Sequence, residues 1–117
     1  ITEQSPTTTI AAAAVVNGDA DADMQRLLMA RACPAGGFAP GARIDSPDLL
    51  STATALFALA SLGADVDKVR QPCLEYVESL WRDSGGFAGH EADAFEDVEY
   101  TFYGLLSIGC LMASPRN

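Results

Sequence analysis

Residues 74–87 read Leu74-Glu75-Tyr76-Val77-Glu78-Ser79-Leu80-Trp81-Arg82-Asp83-Ser84-Gly85-Gly86-Phe87, and this stretch decides the fold. Together with Val69 and Cys73, the residues Val77, Leu80 and Trp81 recur at helical spacing and make one apolar stripe. Lys68, Arg70, Gln71, Glu75, Glu78 and Arg82 fill the opposite face. Asp67 is placed to open this amphipathic helix, where a carboxylate meets the positive end of the helix dipole. Pro72 is expected near its first turn, where a missing N–H costs least. The helix runs to about Arg82, and Gly85-Gly86-Phe87 then turns the chain into a loop.

The same order stands upstream. Asp19, Asp21 and Asp23 favour a helix start, and Met24, Leu27, Leu28 and Ala32 follow at helical spacing up to Pro34. Gly36-Gly37-Phe38 comes next, 49 residues before its downstream counterpart. Each GGF triplet precedes a second kind of helix. Residues 48–62 carry no charge after Asp48, and residues 97–112 are nearly as apolar, with Val98, Tyr100, Phe102, Tyr103, Leu105, Leu106, Ile108, Cys110 and Leu111. A helix apolar all round is expected to be buried all round. Gly63 is placed to stop the first of them. Neither strand alternation nor a hairpin signal occurs, so the chain is expected to be all-α, with two outer/inner helix pairs joined by GGF loops. Units of this kind bury their faces only against neighbours, so residues 19–117 are expected to be part of a larger array. Residues 1–18, with Ser5-Pro6, the Thr7–Thr9 run and Asn17-Gly18, are expected to form a flexible arm with at most one helical turn at 10–16.

Composition narrows the partners. The 117 residues are 49% hydrophobic and 20% charged, enough apolar material for a core. The net charge of -9 leaves no basic face to displace counterions, which disfavours nucleic acid and anionic membrane surfaces. The longest apolar run, residues 53–64, is well short of the roughly 20 residues a membrane span needs. No basic flank precedes Ile10–Val16, so no secretory segment is read there. Cys33, Cys73 and Cys110 form no CxxC pair, and Cys73 and Cys110 occupy apolar helix positions. A reducing, cytoplasmic compartment is expected.

Gly36-Gly37-Phe38-Ala39-Pro40-Gly41 followed by Ser46-Pro47-Asp48-Leu49-Leu50-Ser51-Thr52 resembles the GGF…PHLLYT repeat of protein prenyltransferase β subunits. The geranylgeranyl-type enzymes that act on Rab proteins are the closest in pattern. LEYVESLWRDSGGF is similar to that family's helix followed by Q-x-x-DGGF, with Trp81 in place of Gln. Squalene and hopene cyclases share the layout. The resemblance spans roughly residues 24–112 and implies an α/α toroid, a barrel of inner and outer helices around a cavity that holds an isoprenoid. The implied activity is isoprenoid transfer to a protein cysteine. Alternatives are a non-catalytic α/α repeat module that binds a lipid or protein partner, and a terpene-cyclase relative. The cyclases' DxDD general-acid pattern is absent.

The resemblance also marks site residues. Asp97-Val98-Glu99-Tyr100-Thr101-Phe102-Tyr103 matches the family's zinc repeat D-x-C-Y-S-F/W-W in outline. Asp97 falls on the zinc-ligand aspartate, a position where the family's non-zinc repeats also carry Asp. Glu99 replaces the thiolate ligand, and His90 does not stand at the ligand histidine. No metal is therefore expected from this chain alone, and zinc only where other segments complete the site. The crowding of His90, Glu91, Asp93, Glu96, Asp97 and Glu99 reads as a solvated loop and helix start, or as oxygen ligands for a hard cation. Tyr100, Phe102 and Tyr103 are candidate lipid-binding residues, with Tyr100 and Tyr103 on one face and Phe102 off it. The alternative for these three is ordinary core. Asp48 and the Asp19–Asp23 alternation read as helix caps. Self-association or a protein partner is expected, because two repeats cannot cover two apolar helices.

Overall fold

The structure, a computed structural model, describes residues 1–17, 22–83, 85–90 and 98–113. Among these residues it contains α1 (Thr7–Asn17), α2 (Ala22–Met29), α3 (Leu49–Ser61), α4 (Asp67–Ser79) and α5 (Val98–Ala113). The only strand-like pairings among them are isolated antiparallel bridges, which join Phe38 to Ala32 and Asp48, and Trp81 to Phe87. The all-α expectation holds.

The helices form two layers. α3 packs against both α1 and α5, which makes an inner row of α1, α3 and α5. α2 packs on α1 and α3, and α4 on α5, as the outer layer. The reading of residues 1–18 as a flexible arm is therefore corrected: residues 7–17 are a third inner helix. Ala11–Ala14 have the highest helix propensity of any residue type, and Ile10, Ala11 and Ala14 are buried in the main core with Ala55, Ala58 and Leu59 of α3. The start of α1 is tied down as well. The buried Arg31 guanidinium donates to the carbonyls of Glu3 and Ser5 and to the Thr7 hydroxyl, at 2.7–2.9 Å. The Thr7 hydroxyl in turn donates to the Ala39 carbonyl.

The two GGF loops repeat bond for bond. The Cys33 amide donates to the Gly37 carbonyl and the Arg82 amide to the Gly86 carbonyl, both at 2.9 Å. Ala39 N–H reaches the Arg31 carbonyl at 2.8 Å, and Ala88 N–H reaches Leu80 at 2.9 Å. Gly36, Gly37, Gly85 and Gly86 all adopt positive φ, which glycine reaches without a Cβ clash. Phe38 and Phe87 are buried between the helix that ends and the one that follows. The repeat also extends to α1: Thr7 N–H bonds the Pro40 carbonyl at 3.0 Å, and Leu49 N–H bonds Gly89 at 2.9 Å. The first residue of an inner helix is thus pinned to the loop that precedes the next one.

Asp48 caps α3, its carboxylate accepting from Ser51 N–H at 2.7 Å. Pro72 departs from expectation. It sits inside α4, in the second turn, where Gly36 packs on its backbone. The missing N–H costs α4 one internal bond, and the close approach of the first GGF loop occupies that side of the helix.

Candidate functional site

Counted from Thr7, Leu49 and Val98, the three inner helices share one register. One stripe in that register is Thr8, Ala12 and Val15 on α1, then Leu50, Thr54, Phe57 and Ser61 on α3, then Glu99, Tyr103, Leu106 and Cys110 on α5. Val15, Leu50 and Phe57 are exposed along it. The expectation that the apolar helices are buried all round is corrected here. Two flanks of α3 meet neighbours in its own layer and a third side meets the core, so the fourth side stays open.

Two recesses lie along this stripe and share Phe57 and Leu106. One, of about 320 Å³, is completed by Thr8, Ala11, Ala12, Val15, Val16 and Thr54. The other, of about 440 Å³, is completed by Ala60, Ser61, Leu105, Gly109, Cys110 and Ala113. Neither is lined by a charged residue. Their only polar side chains are two threonines, a serine and a thiol. Thr54 and Ser61 donate to carbonyls of their own helix, Leu50 and Phe57, each at 2.9 Å. The surface is suited to hydrocarbon and offers little to a polar ligand.

The structure separates the three aromatic candidates. Tyr103 lies on the open stripe, in register with Thr54. Its hydroxyl donates to Glu99 Oε1 at 2.8 Å, and this bond raises the tyrosine pKa. Tyr100 and Tyr103 both pack on the cluster of Leu49, Tyr76, Val77, Leu80 and Phe87, and the Tyr100 ring fills the space that a side chain at Gly89 would need. Phe102 projects from a different side of α5 and is exposed, with its ring edge-on to Tyr103 at 5.8 Å. Tyr100 and Tyr103 remain neighbours, with ring centroids 6.4 Å apart. The centre of the groove, Phe57 with Leu106, was not singled out from sequence. Its signal was the recurrence of Leu50, Thr54, Phe57 and Ser61 on one helix face.

The residues of the zinc-repeat resemblance are only partly described. Asp97, Glu91, Asp93 and Glu96 lie outside the described residues, as do Asp19 and Asp21. Among the described residues no three His, Cys, Asp or Glu side chains gather as a metal site. Glu99 is exposed and engaged by the Tyr103 hydroxyl, and His90 is exposed. Burial pushes the Cys73 thiol up to about 11, and it also raises Cys33 and Cys110. Among the described residues, His90, Glu99 and the three cysteines do not make a zinc donor set. Among the described residues, no helix is long and apolar enough to cross a membrane.

Residues 8–114 match the family model of the prenyltransferase alpha-alpha toroid domain, which takes in α1 as well as both GGF units. No curated protein and no solved structure matches the chain.

Proposed function

The chain belongs to the prenyltransferase alpha-alpha toroid family, and from that premise we propose that its inner-helix groove holds the hydrocarbon chain of an isoprenoid. The observation that carries this reading is the charge-free groove on either side of Phe57 and Leu106, built from the same face of all three inner helices. Leu106 contributes to its wall from α5, Tyr103 stands one turn before it on the same stripe, Tyr100 supports that helix from behind, and Phe102 lies at its flank. The likeness to β subunits of Rab-type protein prenyltransferases supplies the reaction class, isoprenoid transfer to a protein cysteine. In that reaction this chain supplies wall, and the thiol-activating metal site belongs to other segments. Three cysteines, none of them in a disulfide, suit a reducing, cytoplasmic setting.

A specific observation favours a second reading, a non-catalytic module that binds a lipid or protein partner. Where the family pattern has a thiolate ligand, this chain has Glu99, and its carboxylate accepts the Tyr103 hydroxyl.

Fluorescence titration with a dansyl-tagged isoprenoid diphosphate tests the shared part of both readings. The wild-type chain binds saturably, and Phe57→Asp weakens binding at least about tenfold, because the charge enters an apolar recess. Equal binding by the two proteins removes the groove from the reading.

A further inference from the structure

Three of the six prolines follow a serine, at Ser5-Pro6, Ser46-Pro47 and Ser114-Pro115, and the last pair lies outside the described residues. Proline lacks a backbone N–H and holds the residue before it in an extended conformation. Each pair therefore presents a hydroxyl on extended backbone, the form in which a protein kinase takes its acceptor. The structure treats the two described pairs differently.

Ser5 is built into the fold. It is half-buried, its hydroxyl oxygen accepts from Thr2 N–H at 3.0 Å, and its carbonyl accepts from the buried Arg31 guanidinium at 2.8 Å. Ser46 instead ends a run of five exposed residues, 42–46, in the loop between the first GGF turn and α3. Within that loop Ile44 N–H reaches the Gly41 carbonyl at 3.4 Å, while Arg43 and Ser46 make no hydrogen bond to any described residue. The loop is anchored at its two ends. The Pro40 carbonyl holds Thr7 N–H, Pro47 closes on Gly37, and Asp48 N–H reaches the Phe38 carbonyl at 3.3 Å. It lies inside the row, between the starts of α1 and α3, and is exposed with both neighbours in place. With so few bonds to release, it opens at little cost. Arg43, three residues before Ser46 and exposed, offers a guanidinium that a carboxylate can pair in a fork.

We infer that Ser46 is a phosphorylation site for a proline-directed serine kinase that also pairs Arg43, and that the fold selects it over Ser5. The Ser46 hydroxyl attacks the γ-phosphorus of MgATP. The Oγ–P bond forms, the bond from phosphorus to the β,γ-bridging oxygen breaks, ADP leaves with that electron pair, and the hydroxyl proton passes to a carboxylate of the kinase. The product carries about two added negative charges between Asp45 and Asp48, just ahead of α3. The inference stands apart from the isoprenoid reading, since no ligand of the groove takes part.

The test incubates the folded chain with MgATP and a purified proline-directed serine kinase that selects arginine three residues before its acceptor. Peptide mass spectrometry follows the rate at each serine. Synthetic peptides covering residues 1–12 and 38–52, run beside the chain, give the preference of the kinase for sequence alone. Ser46 takes up phosphate in the folded chain, and Arg43→Ala slows it about tenfold, the loss of one charge-assisted contact. The ratio of the Ser46 rate to the Ser5 rate is at least about tenfold larger in the folded chain than in the peptides, because freeing Ser5 breaks the Arg31 bonds. A Ser46 that stays unmodified, a rate indifferent to Arg43, or the same ratio in chain and peptides overturns the inference.

Discussion

The backbone amide of Phe87 donates to the side-chain oxygen of Thr101 at 3.0 Å, and Phe38 makes the same bond to Thr52 at 2.9 Å. In each repeat one hydroxyl, fourteen residues on, locks the GGF loop to the inner helix that follows. Burying the phenylalanine places its N–H out of reach of water, so that donor needs a partner within the protein. Thr52 also donates to the Asp48 carbonyl at 2.7 Å, which orients its oxygen toward the amide. The loop, the cap and the core are coupled through this one side chain.

Thr52→Val keeps the shape and removes the acceptor. It is expected to destabilise the chain by about 1–3 kcal/mol, the usual cost of an orphaned buried donor. Thr101→Val should cost less, because its bond is only partly buried. Urea unfolding of both variants measures the difference, and equal stability to wild type would mean that the loops hold without the hydroxyl.

Phe38→Ala and Phe87→Ala each empty a buried site, at an expected cost of about 3–5 kcal/mol. Phe87 is additionally braced by Trp81, edge-on at 5.3 Å. Thermal melts of the two variants should fall together, and an unchanged melt for either would show that its ring contributes no core packing.

The four loop glycines share positive φ but not their surroundings. A methyl at Gly36 would run into the Pro72 backbone, whereas one at Gly85 meets nothing within 4 Å. Gly85→Ala should therefore cost only the backbone strain, about 1–2 kcal/mol, and Gly36→Ala distinctly more. Comparable midpoints for the two variants in urea would count against the contact between α4 and the first loop.

Cys73 gives a pH signature. Its thiol titrates near 9.0 when unfolded and at about 11 when buried in the fold. Between those values the unfolded chain holds fewer protons, so stability falls as pH rises. The contribution is intact below pH 9 and is lost through pH 11, on the order of 2 kcal/mol in all. Cys73→Ala should lack this component, and parallel stability curves for the two proteins across pH 9–11 would exclude it.

Much of the fold is legible in the sequence because local chemistry and tertiary role agree. Asp48 reads as a cap and is one, and each Gly-Gly pair reads as a reversal and adopts the positive φ that a reversal needs. α1 is not legible in this way. Its threonines and alanines show no polar–apolar contrast, and it is held by the small side of α3 and by Arg31, a residue far along the chain. The open side of α3 is hidden for a related reason. Thr54 and Ser61 are its only polar marks, and both satisfy their hydroxyls on the helix backbone, so the stripe reads as apolar throughout. The candidate site was accordingly placed on the aromatic triplet of α5, of which Tyr103 shares the open stripe while none lines either recess.

The most direct measurement is a map of where an isoprenoid touches the chain. A benzophenone-bearing isoprenoid diphosphate, photolysed with the purified protein and followed by peptide mass spectrometry, should label the open stripe of the inner helices. Adducts concentrated at Val15, Phe57, Tyr103 and Leu106, and displaced by unlabelled isoprenoid, are the predicted result. Labelling spread over α2 and α4, or labelling that competitor does not displace, would contradict the groove as the binding site.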